Sequence, residues 1–586
     1  MKLQKGFREL VVLASGLALV LVVPLVVDLG CSGPFRTPKA LLAQSLWAVL
    51  AALFLARPSW DPFLAPPAAV AAAGLLSALA TTPAAAYATV PWLSGVLGWA
   101  AVRSLPGEKR ELLARAVVWA GFLEALVALA FFDPEGRPSS FRLLENLEGR
   151  YAWLGTMGNP ADVGSFLVLP TVLALTWAWT GTRRVLWLAL GLAQGAVLMA
   201  TQTLSAMAAV LVGLAVLALA RLPQKRRLPA VATLALAAAV LVLAAPPLRE
   251  RLQTAWSQVQ HGGWLWAASA RGAAWTAALR MAVANPIFGV GFGQFEAHSF
   301  TFLRTEELAE RGRILGMETG FGEAHNELFQ YWAETGAVGL ALLAFGLWLA
   351  WRQGRQQGTP KPAPRKGLPL PPGPLAAAAA VVAFFQFPLH LAAIAAQWAV
   401  LAAWLSPPLP APRGSCRVGV AAGLALATLV VGGSFLQWRA YRAVQSAEVL
   451  VTLLRQNPQA PQRQTLAFEA LRGLQRKLAL LPWDYRAQTT AGNLAREAGD
   501  WPAAASHFRA ALKLAERPET HFNLGVALYV LGQEPDALAH LVRAVALNPG
   551  VLRSVSDKVL ASRLSAALEK AGYFARVPWA RDWLPK

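Results

Sequence analysis

The residues best suited to chemistry cluster around one histidine near the middle of the chain. His325 is flanked by Asn326 and by the carboxylates Glu323 and Glu327, just before an apolar segment that begins near residue 334. Imidazole has an ordinary pKa close to neutral pH, so it can accept a proton from a reacting hydroxyl group. A histidine at this position can therefore act as a base at neutral pH.

Arginines supply complementary chemistry in the same stretch of chain. Arg271 and Arg280 precede the histidine within one long polar segment, residues 246–333. A guanidinium group binds phosphate or pyrophosphate through paired hydrogen bonds, and a connecting segment of this length is uncommon unless it has a function. The segment therefore predicts a base beside cations that hold a phosphate or pyrophosphate group.

The composition places these residues in a membrane protein. Apolar residues make up 56% of the 586 residues and charged residues 15%, whereas an ordinary soluble domain carries about 25% charge. The formal net charge is nonetheless +21, which fits a partner of nucleic acid or anionic lipid, or the basic cytoplasmic loops of a membrane protein. The two cysteines exclude a disulfide scaffold.

Thirteen apolar runs are candidate membrane helices, since a bilayer core requires about 20 mostly apolar residues per helix. They predict an all-α, polytopic membrane bundle of about 12–13 transmembrane helices. The first run follows a short basic stretch and predicts an uncleaved anchor. The runs lie near residues 10–29, 38–56, 63–80, 87–102, 112–132, 160–179, 185–202, 203–221, 228–245, 334–351, 375–388, 391–406 and 418–437.

The distribution of basic residues predicts the orientation of the bundle. With a cytoplasmic N-terminus and thirteen spans, 21 Lys and Arg residues fall in cytoplasmic pieces and five in short outside loops. Cytoplasmic loops carry an excess of basic residues, so we predict this orientation in the cytoplasmic (inner) membrane. It places residues 246–333 and the tail 439–586 outside and the Pro-rich linker 358–374 inside. The positive charge then marks orientation, and no nucleic-acid partner is predicted.

A few polar residues fall inside the apolar runs. His390 is predicted to form interhelical hydrogen bonds with Gln386 and Gln397, because polar side chains link neighbouring membrane helices. Glu124 lies within another apolar run, where an isolated charge is costly and therefore indicates either a function or a partner.

The polar tail, residues 439–586, contains an internal repeat with a spacing of 33 residues. Small residues recur where paired helices must approach closely, and large residues fill the space between them. The pattern resembles tetratricopeptide repeats, whose period is about 34 residues. Such arrays usually bind proteins or peptides, so a protein partner is predicted for the tail. The matching positions are Gly499, Ala504, Phe508, Ala511 and Leu514 with Gly532, Ala537, Leu541, Ala544 and Leu547.

The segment that contains the histidine also matches a family signature. His325-Asn326 is followed by nine residues and then by Gly336-Ala-Val-Gly339. This pattern resembles the signature of the O-antigen ligase/polymerase superfamily, which is His, then Asn, Ser or Gln, nine residues, Gly, two residues, and Gly, Thr or Tyr.

Two upstream stretches support the same resemblance. Residues 271–295 look like the Arg-x-x-x-Trp and Asn-Pro stretch of that family, and Arg150 with residues 155–169 resembles its Gly-Thr-x-x-Asn-Pro element. The resemblance covers about residues 145–355 in motif detail. One departure is that residues 201–206, where many members carry a Ser-Arg element, contain no arginine.

The resemblance implies a GT-C-like membrane glycosyltransferase of the O-antigen ligase type, formed by residues 1–438. The donor would be a saccharide linked to undecaprenyl pyrophosphate. The acceptor would be a hydroxyl group of lipid A-core, of a growing glycan or of a protein. The resemblance implies no cofactor and no catalytic metal, because the pyrophosphate leaving group drives the transfer.

The resemblance also assigns roles to individual side chains. His325 would take the proton of the acceptor hydroxyl group, and Arg271, with Arg150 or Arg280, would stabilise the charge that develops on the pyrophosphate. Trp275 would stack on a sugar ring. The polar residues that flank the histidine would orient it or contact sugars.

Other functions stay open from the sequence. A polysaccharide polymerase and a protein O-oligosaccharyltransferase share the superfamily signature with the ligases. A lipid-linked glycan flippase or other transporter would also be polytopic, but it would place charges inside its helices. A non-catalytic, membrane-anchored repeat scaffold would need only one anchor helix, which leaves the other apolar runs unexplained.

Overall fold

Helices account for the regular structure of this chain. The computed structural model describes residues 2–131, 152–315, 320–356, 372–410, 414 and 416–584. Within that part of the chain the fold is 81% helical and contains no β-strand. The predicted all-α class of a polytopic membrane protein is confirmed.

The described residues before 246 form nine helices, most of them rich in alanine, leucine and valine. A helix satisfies all backbone hydrogen bonds internally, which a chain that crosses lipid requires. The first helix continues through irregular turns to Leu25. The helices are α1 (Lys2–Leu17), α2 (Thr37–Leu55), α3 (Ala65–Ala80), α4 (Pro83–Arg103), α5 (Gly107–Phe131), α6 (Pro160–Thr180), α7 (Arg184–Ala200), α8 (Leu204–Arg221) and α9 (Gln224–Ala244).

The long polar segment and the remaining apolar helices follow. The polar segment contains α10 (Pro246–Gly262), α11 (Ala267–Ala284), α12 (Phe295–His298) and α13 (Thr305–Leu315). The apolar helices after it are α14 (Glu327–Gln356), α15 (Gly373–Phe385), α16 (Ala392–Leu405) and α17 (Arg417–Gln456). The predicted linker 358–374 and the predicted site residue Arg150 lie largely or wholly outside the described residues.

Each predicted apolar run is helical, but fewer of them than expected are long enough to cross a membrane. Ten helical stretches of the described chain have the required length and hydropathy, and α7, α15 and α16 are shorter. α15 and α16 contain 13 and 14 residues, which rise about 20 Å, short of a bilayer core of about 30 Å. Ten candidate spans agree with a polytopic bundle, and whether α7, α15 and α16 also cross the membrane stays a prediction.

Two glycine-containing stretches bring the backbone of the polar segment into contact with the backbone of α14. The backbone N–H of Val338 donates to the carbonyl oxygen of Ile287 at 3.1 Å. Gly289 and Gly336 have φ values of +70° and +62°, which favour glycine. A Cβ atom at Gly336 would overlap the backbone of Ile287, and one at Gly289 would overlap the backbone of Glu334. The glycines of the two motifs therefore permit the backbones to touch.

The tail forms paired helices that begin on the last apolar helix. α17 has 40 residues and continues from the bundle into the tail. Gly499 and Gly532 end corresponding helices with φ values of +80° and +77°, in agreement with the predicted spacing. The identity of the pairs as tetratricopeptide repeats stays a prediction. The tail helices are α18 (Arg463–Leu478), α19 (Tyr485–Glu497), α20 (Trp501–Leu514), α21 (Pro518–Val530), α22 (Glu534–Leu547), α23 (Lys558–Lys570) and α24 (Tyr573–Arg576).

One carboxylate of α12 forms several polar contacts between the polar segment and the tail. Glu296 accepts hydrogen bonds from the Tyr485 hydroxyl at 3.0 Å, from Arg486 at 3.0 Å and from Arg517 at 2.5 Å. Two cations and a phenol thus converge on a single side chain. The contact connects the polar segment, which contains the predicted site, to the start of the paired helices.

Candidate functional site

His325 lies in the turn that leads from the polar segment into α14. Its backbone φ is +53°, a conformation that is uncommon for a residue other than glycine and occurs often at functional sites. The indole N–H of Trp275 points to the carbonyl oxygen of His325 at 3.5 Å. The ring of Phe387 meets the imidazole edge to face, with 4.8 Å between centroids. Both the backbone and the ring of the histidine are therefore held in place.

The imidazole of His325 is kept in its neutral form. Burial is the main reason that the pKa of His325 falls to about 3. The positive charges of Arg271, Arg36 and Arg311 lower this pKa further, and a hydrogen bond with Gln386 opposes them. The Nδ1 atom is buried and has no hydrogen-bond partner among the described residues. A neutral imidazole with an open ring nitrogen can accept a proton.

Arg36, immediately before α2, connects three distant parts of the chain at this site. Its guanidinium group pairs with Asp162 and with Glu323, each at 3.0 Å. The same group lies 5.3 Å from the ring centroid of Phe387. Sequence analysis did not select Arg36 as a site residue. The available signal was its position in a short loop that is predicted to lie outside, where basic residues are few.

Two further arginines approach the site from the polar segment. Arg271 lies on α11, is partly buried and lowers the pKa of His325 by its charge. This proximity agrees with the sequence analysis, and the role of Arg271 in binding pyrophosphate stays a prediction. Arg311 on α13 is 4% exposed, and its guanidinium carbon lies 4.1 Å from the ring centroid of Phe321. Sequence analysis missed Arg311 because the charged sequence of α13 suggests a solvent-exposed helix.

Arg280, a predicted substrate-binding residue, is engaged elsewhere. Its guanidinium group forms two hydrogen bonds with the carboxylate of Glu307, at 2.7 and 2.8 Å. It also donates to the carbonyl oxygen of Phe302 at 3.1 Å. The structure thus places Arg280 in a bidentate pair that joins α11 to α13, and its role in substrate binding stays a prediction.

Glu327 and His390 form an ion pair where α14 meets the break between α15 and α16. The Nδ1 atom of His390 lies 3.4 Å from Oε2 of Glu327. Glu327 also accepts a hydrogen bond from the backbone N–H of Leu389 at 2.7 Å. Burial lowers the pKa of His390, but the charges of Glu327 and Glu334 outweigh burial and raise it to about 9. His390 therefore carries a proton at neutral pH.

The predicted partners of His390 were wrong. Its Nε2 atom lies 3.0 Å from the side-chain nitrogen of Gln330 on α14, whereas Gln386 donates to the hydroxyl oxygen of Ser205 at 3.0 Å. The amide of Gln397 is buried and has no hydrogen-bond partner in the part of the chain that the structure describes. The helix is interrupted between α15 and α16, and this interruption places His390 at the start of α14. His390 therefore contacts Gln330 and not the two predicted glutamines.

Asn326 and Glu323 complete the polar surroundings of the histidine. The side-chain oxygen of Asn326 accepts a hydrogen bond from the backbone N–H of Phe329 at 2.9 Å, which caps the start of α14. Its Nδ2 atom is buried and has no hydrogen-bond partner within the described ranges. Glu323 contacts Arg36. The structure thus places the three polar residues predicted around His325 next to it, and their roles toward substrate stay predictions.

Trp275 packs inside an aromatic cluster. Its ring centroid lies 6.1 Å from that of Phe329, 5.8 Å from that of Phe384 and 6.1 Å from that of Phe385. Only 5% of Trp275 is exposed, so little ring surface is open to a sugar. The geometry supports a positioning role through the backbone of His325, and the predicted stacking on a sugar stays a prediction.

A cavity of about 290 Å³ is lined in part by Arg36, Asp162 and His390. Two aromatic phenols, two primary amides, an ammonium group and several aliphatic side chains face it. Its polar and aromatic wall suits a compound with hydroxyl groups, since amides and phenols both donate and accept hydrogen bonds. The lining includes Arg36, Lys39, Gln44, Tyr87, Asp162, His390, Gln437 and Tyr441.

Metal-ligating side chains do not cluster at this site. Among the described residues, no group of three or more His, Cys, Asp or Glu side chains could hold a metal ion. The side chains around the histidine are arginines, amides and aromatic rings, together with the carboxylates of Glu323 and Glu327, which are paired with Arg36 and His390.

The fold and the site define an all-α, multi-pass membrane protein with a buried histidine among arginines. The family model described as O-antigen ligase matches residues 185–344. This part of the chain is thus similar to O-antigen ligases, and the apolar helices around it belong to a multi-pass membrane protein. No curated protein matches this chain. The matched range contains Arg271, Arg311 and His325, whereas Arg36 and His390 lie outside it.

Proposed function

We propose that this protein is a membrane glycosyltransferase of the O-antigen ligase type. It moves a saccharide from an undecaprenyl-pyrophosphate carrier to an acceptor hydroxyl group on the outer side of the cytoplasmic membrane. The observation that carries the proposal is the neutral imidazole of His325, with a buried and unpartnered Nδ1 atom, inside the segment that resembles O-antigen ligases.

In the proposed reaction, the acceptor oxygen attacks the anomeric carbon of the donor sugar. A carbon–oxygen bond forms there, and the bond from this carbon to the pyrophosphate oxygen breaks. The electron pair of the broken bond leaves with the pyrophosphate, and His325 accepts the acceptor proton. Arg271, Arg36 and Arg311 supply positive charge near His325, which stabilises the negative charge on the departing group.

A bound pyrophosphate would also raise the basicity of the histidine. The three arginines lower the pKa of His325 in the free protein. An anion that binds to them offsets their charge, so the imidazole becomes a stronger base when the donor is present. His325 therefore accepts the proton of the acceptor hydroxyl group only when the donor is bound. Side reactions are limited when no donor is present.

The cavity beside Arg36 and His390 is the proposed location of a saccharide. Its phenols and amides, from Tyr87, Tyr441 and Gln44 among others, can form hydrogen bonds with sugar hydroxyl groups. Aromatic faces also pack on the apolar faces of sugar rings. The volume of about 290 Å³ accommodates one or two sugar rings.

The proposed orientation has a cytoplasmic N-terminus and places the site and the tail outside. The proposal counts α7, α15 and α16 as crossings, because with thirteen crossings the polar segment lies outside and α17 emerges on the outer side. The tail, residues 439–586, is proposed to be an array of tetratricopeptide repeats with a protein partner. The proposed reaction requires no catalytic metal and no cofactor, because the pyrophosphate bond supplies the free energy.

The decisive experiment uses purified full-length protein in detergent with a lipid-pyrophosphate-linked glycan and candidate acceptors. We expect transfer by the native protein and a loss of about 100-fold or more in His325→Ala, the usual range for a general base. His298→Gln is the matched control, because His298 lies in the same polar segment on α12. Equal transfer by His325→Ala and the control would contradict the base assignment, and transport without transfer would indicate a flippase.

The glycan profile of a deletion strain separates the members of the superfamily. Long chains that accumulate on the lipid carrier and miss their acceptor indicate a ligase. Collapse of long chains to single repeats indicates a polymerase, and loss of glycan from proteins indicates a protein O-oligosaccharyltransferase.

A further inference from the structure

An apolar groove lies at the end of the bundle opposite the candidate site. Its volume is about 270 Å³, and its walls are formed by α2, α4 and the loop between α2 and α3. Arg36 precedes α2 and Arg57 follows it, so about 30 Å of helix separates the groove from the cavity beside Arg36. The groove is lined by Phe54, Pro58, Ser59, Trp60, Leu64, Val96, Leu97 and Ala100.

The loop that forms one wall of the groove is held in place on both sides of Trp60. The Ser59 hydroxyl donates to the carbonyl oxygen of Pro410 at 2.8 Å. The Asp61 carboxylate accepts two hydrogen bonds from the buried guanidinium group of Arg103, at 2.9 and 2.6 Å. Trp60 itself is 61% exposed. The groove is therefore already formed, and its wall includes an exposed indole ring.

Three arginines from different parts of the chain lie next to the groove. Arg8 on α1 donates through Nε to the carbonyl oxygen of Leu53 at 3.3 Å, and the charges of Arg8 and Arg57 repel each other. Arg417 begins α17, and the backbone N–H of the residue before it donates to the carbonyl oxygen of Ala56 at 3.0 Å. These backbone contacts bring α1, α2 and α17 together beside the loop.

The carboxylates nearest in sequence are paired with other cations. Glu9 pairs with Lys109 at 2.6 Å, and Asp61 is held by the loop contact described above. Arg57 is half-buried and Arg417 is exposed, and neither forms an ion pair or a side-chain hydrogen bond within the part of the chain that the structure describes. A negatively charged group beside the groove would therefore meet guanidinium donors that are free to bind it.

These arginines lie at the level of a membrane surface. α2 ends at Leu55 and α17 begins at Arg417, and both helices are candidate spans. The ends of a span lie where the hydrocarbon core meets the lipid headgroups, a level that tryptophan also favours. An apolar groove that opens beside cations at this level suits one molecule with a hydrocarbon chain and a phosphate. Basic pockets between membrane helices bind anionic headgroups in this way.

We propose that this groove binds an anionic phospholipid of the surrounding membrane. One acyl chain lies between α2 and α4, and the lipid phosphate accepts hydrogen bonds from Arg57 and Arg417. A neutral lipid would leave the two arginines without a partner, and a free phosphate would leave the groove empty. The inference requires neither the proposed reaction nor the proposed orientation, because it concerns the end of the bundle away from the candidate site.

Native mass spectrometry of the full-length protein, released from detergent, measures how tightly individual lipids stay bound. Phosphatidylglycerol and phosphatidylcholine with identical chains are added in separate titrations. We expect phosphatidylglycerol to bind more tightly, and we expect Arg57→Gln to weaken its binding about fivefold, the effect of one arginine near a lipid phosphate. Binding of phosphatidylcholine should not change in this variant. Equal binding of the two lipids by the native protein would overturn the proposal.

Arg226→Gln is the matched control, because Arg226 is an exposed arginine at the start of another candidate span, α9, and does not line the groove. A general attraction between surface arginines and anionic lipid would weaken binding equally in both variants. That result would overturn the proposal, whereas a loss confined to Arg57→Gln supports a site at the groove.

The contribution of the groove is measured on the native protein, without a substitution. We expect dihexanoyl phosphatidylglycerol to bind about tenfold or more weakly than the long-chain lipid, because its chains bury less apolar surface. We also expect inorganic phosphate not to displace the long-chain lipid. Equal binding of the short-chain lipid, or displacement by phosphate, would show that the arginines bind a phosphate alone and would overturn the proposal. None of these readouts requires glycan transfer, so their failure leaves the proposed function intact.

Discussion

At the scale of single residues, the site combines two histidines with opposite charge states. His325 is neutral because of burial and neighbouring arginines, and His390 is protonated because of its neighbouring carboxylates. Glu327, Glu334 and Glu323 raise the pKa of His390, and Gln330 contacts its ring. A base and a fixed positive charge therefore coexist at neutral pH within one polar network.

This arrangement predicts the pH dependence of transfer. The pKa of free His325 is about 3, so kcat/KM is expected to stay level between about pH 5 and 8, where an ordinary histidine would titrate. The pKa of His390 is raised to about 9, so its ion pair stabilises the fold at lower pH and is lost as the pH rises through 9. We therefore expect the rate to fall above about pH 9.

A pH–rate profile of the purified protein checks this expectation. The matched variant is His390→Gln, which removes the titrating group and should remove the alkaline decline assigned to it. An acid limb centred near pH 6.5 in the native protein would contradict a buried, neutral His325.

At the scale of elements, the two glycine motifs have a packing explanation. Gly289 and Gly336 allow the stretch after α11 to touch the backbone of α14. The contact positions the start of α14, and with it the turn that contains His325. The family signature therefore contains two linked parts. His325 is the candidate reactive residue, and Gly336 forms the backbone contact that positions the helix following it.

Gly336→Ala is predicted to destabilise this contact. Its φ is +62°, and an added Cβ would overlap the backbone of Ile287. We expect a loss of about 1–3 kcal/mol in the free energy of unfolding from strain alone, seen as a lower melting temperature. Transfer should fall with it, since the turn at His325 shifts.

Gly354→Ala on the same helix is the control for this substitution. Nothing lies within 4 Å of a Cβ atom at Gly354, so alanine should be neutral or stabilise by up to about 1 kcal/mol. Equal melting temperatures for the two variants would show that the close contact at Gly336 has no energetic importance.

At the scale of the whole molecule, Glu296 couples the tail to the segment that contains the site. Tyr485, Arg486 and Arg517 donate to this carboxylate. The tail is thus held against the polar segment by these ion pairs and by apolar packing, because Ala309 of α13 shares a buried cluster with Leu541 and Val545 of α22. α17 connects the tail covalently to the bundle. A partner bound to the tail would be held near the outer end of the candidate site.

Glu296→Gln is predicted to loosen this attachment. It leaves Arg486 and Arg517 without their shared negative charge, and partial solvent exposure limits the expected loss to about 1 kcal/mol. Hydrogen exchange of α12 and of the start of α19 should increase. The control is Glu569→Gln, because Glu569 is an exposed partner of Arg581 in the tail. Unchanged exchange in Glu296→Gln would contradict the coupling.

Hydropathy and short motifs were sufficient to predict several features. The thirteen apolar runs all form helices, and the fold class follows from them. The positions of His325 and Arg271 follow from motifs that are local in the sequence. Hydropathy did not show that α15 and α16 are short, because it does not show where each of these helices ends. The break between them depends on contacts of Leu389 and His390 with α14.

Local patterns could not identify Arg36, Arg311 or the partners of His390, because these residues reach the site from separate helices. The pair between Arg36 and Asp162 joins positions 126 residues apart, and no periodicity connects such positions. Composition and periodicity therefore determine which segments become helices, since burial of apolar surface acts on each segment. The charge state of His325 is decided by the tertiary structure, because a pKa depends on the burial and the charges that folding brings within a few ångströms.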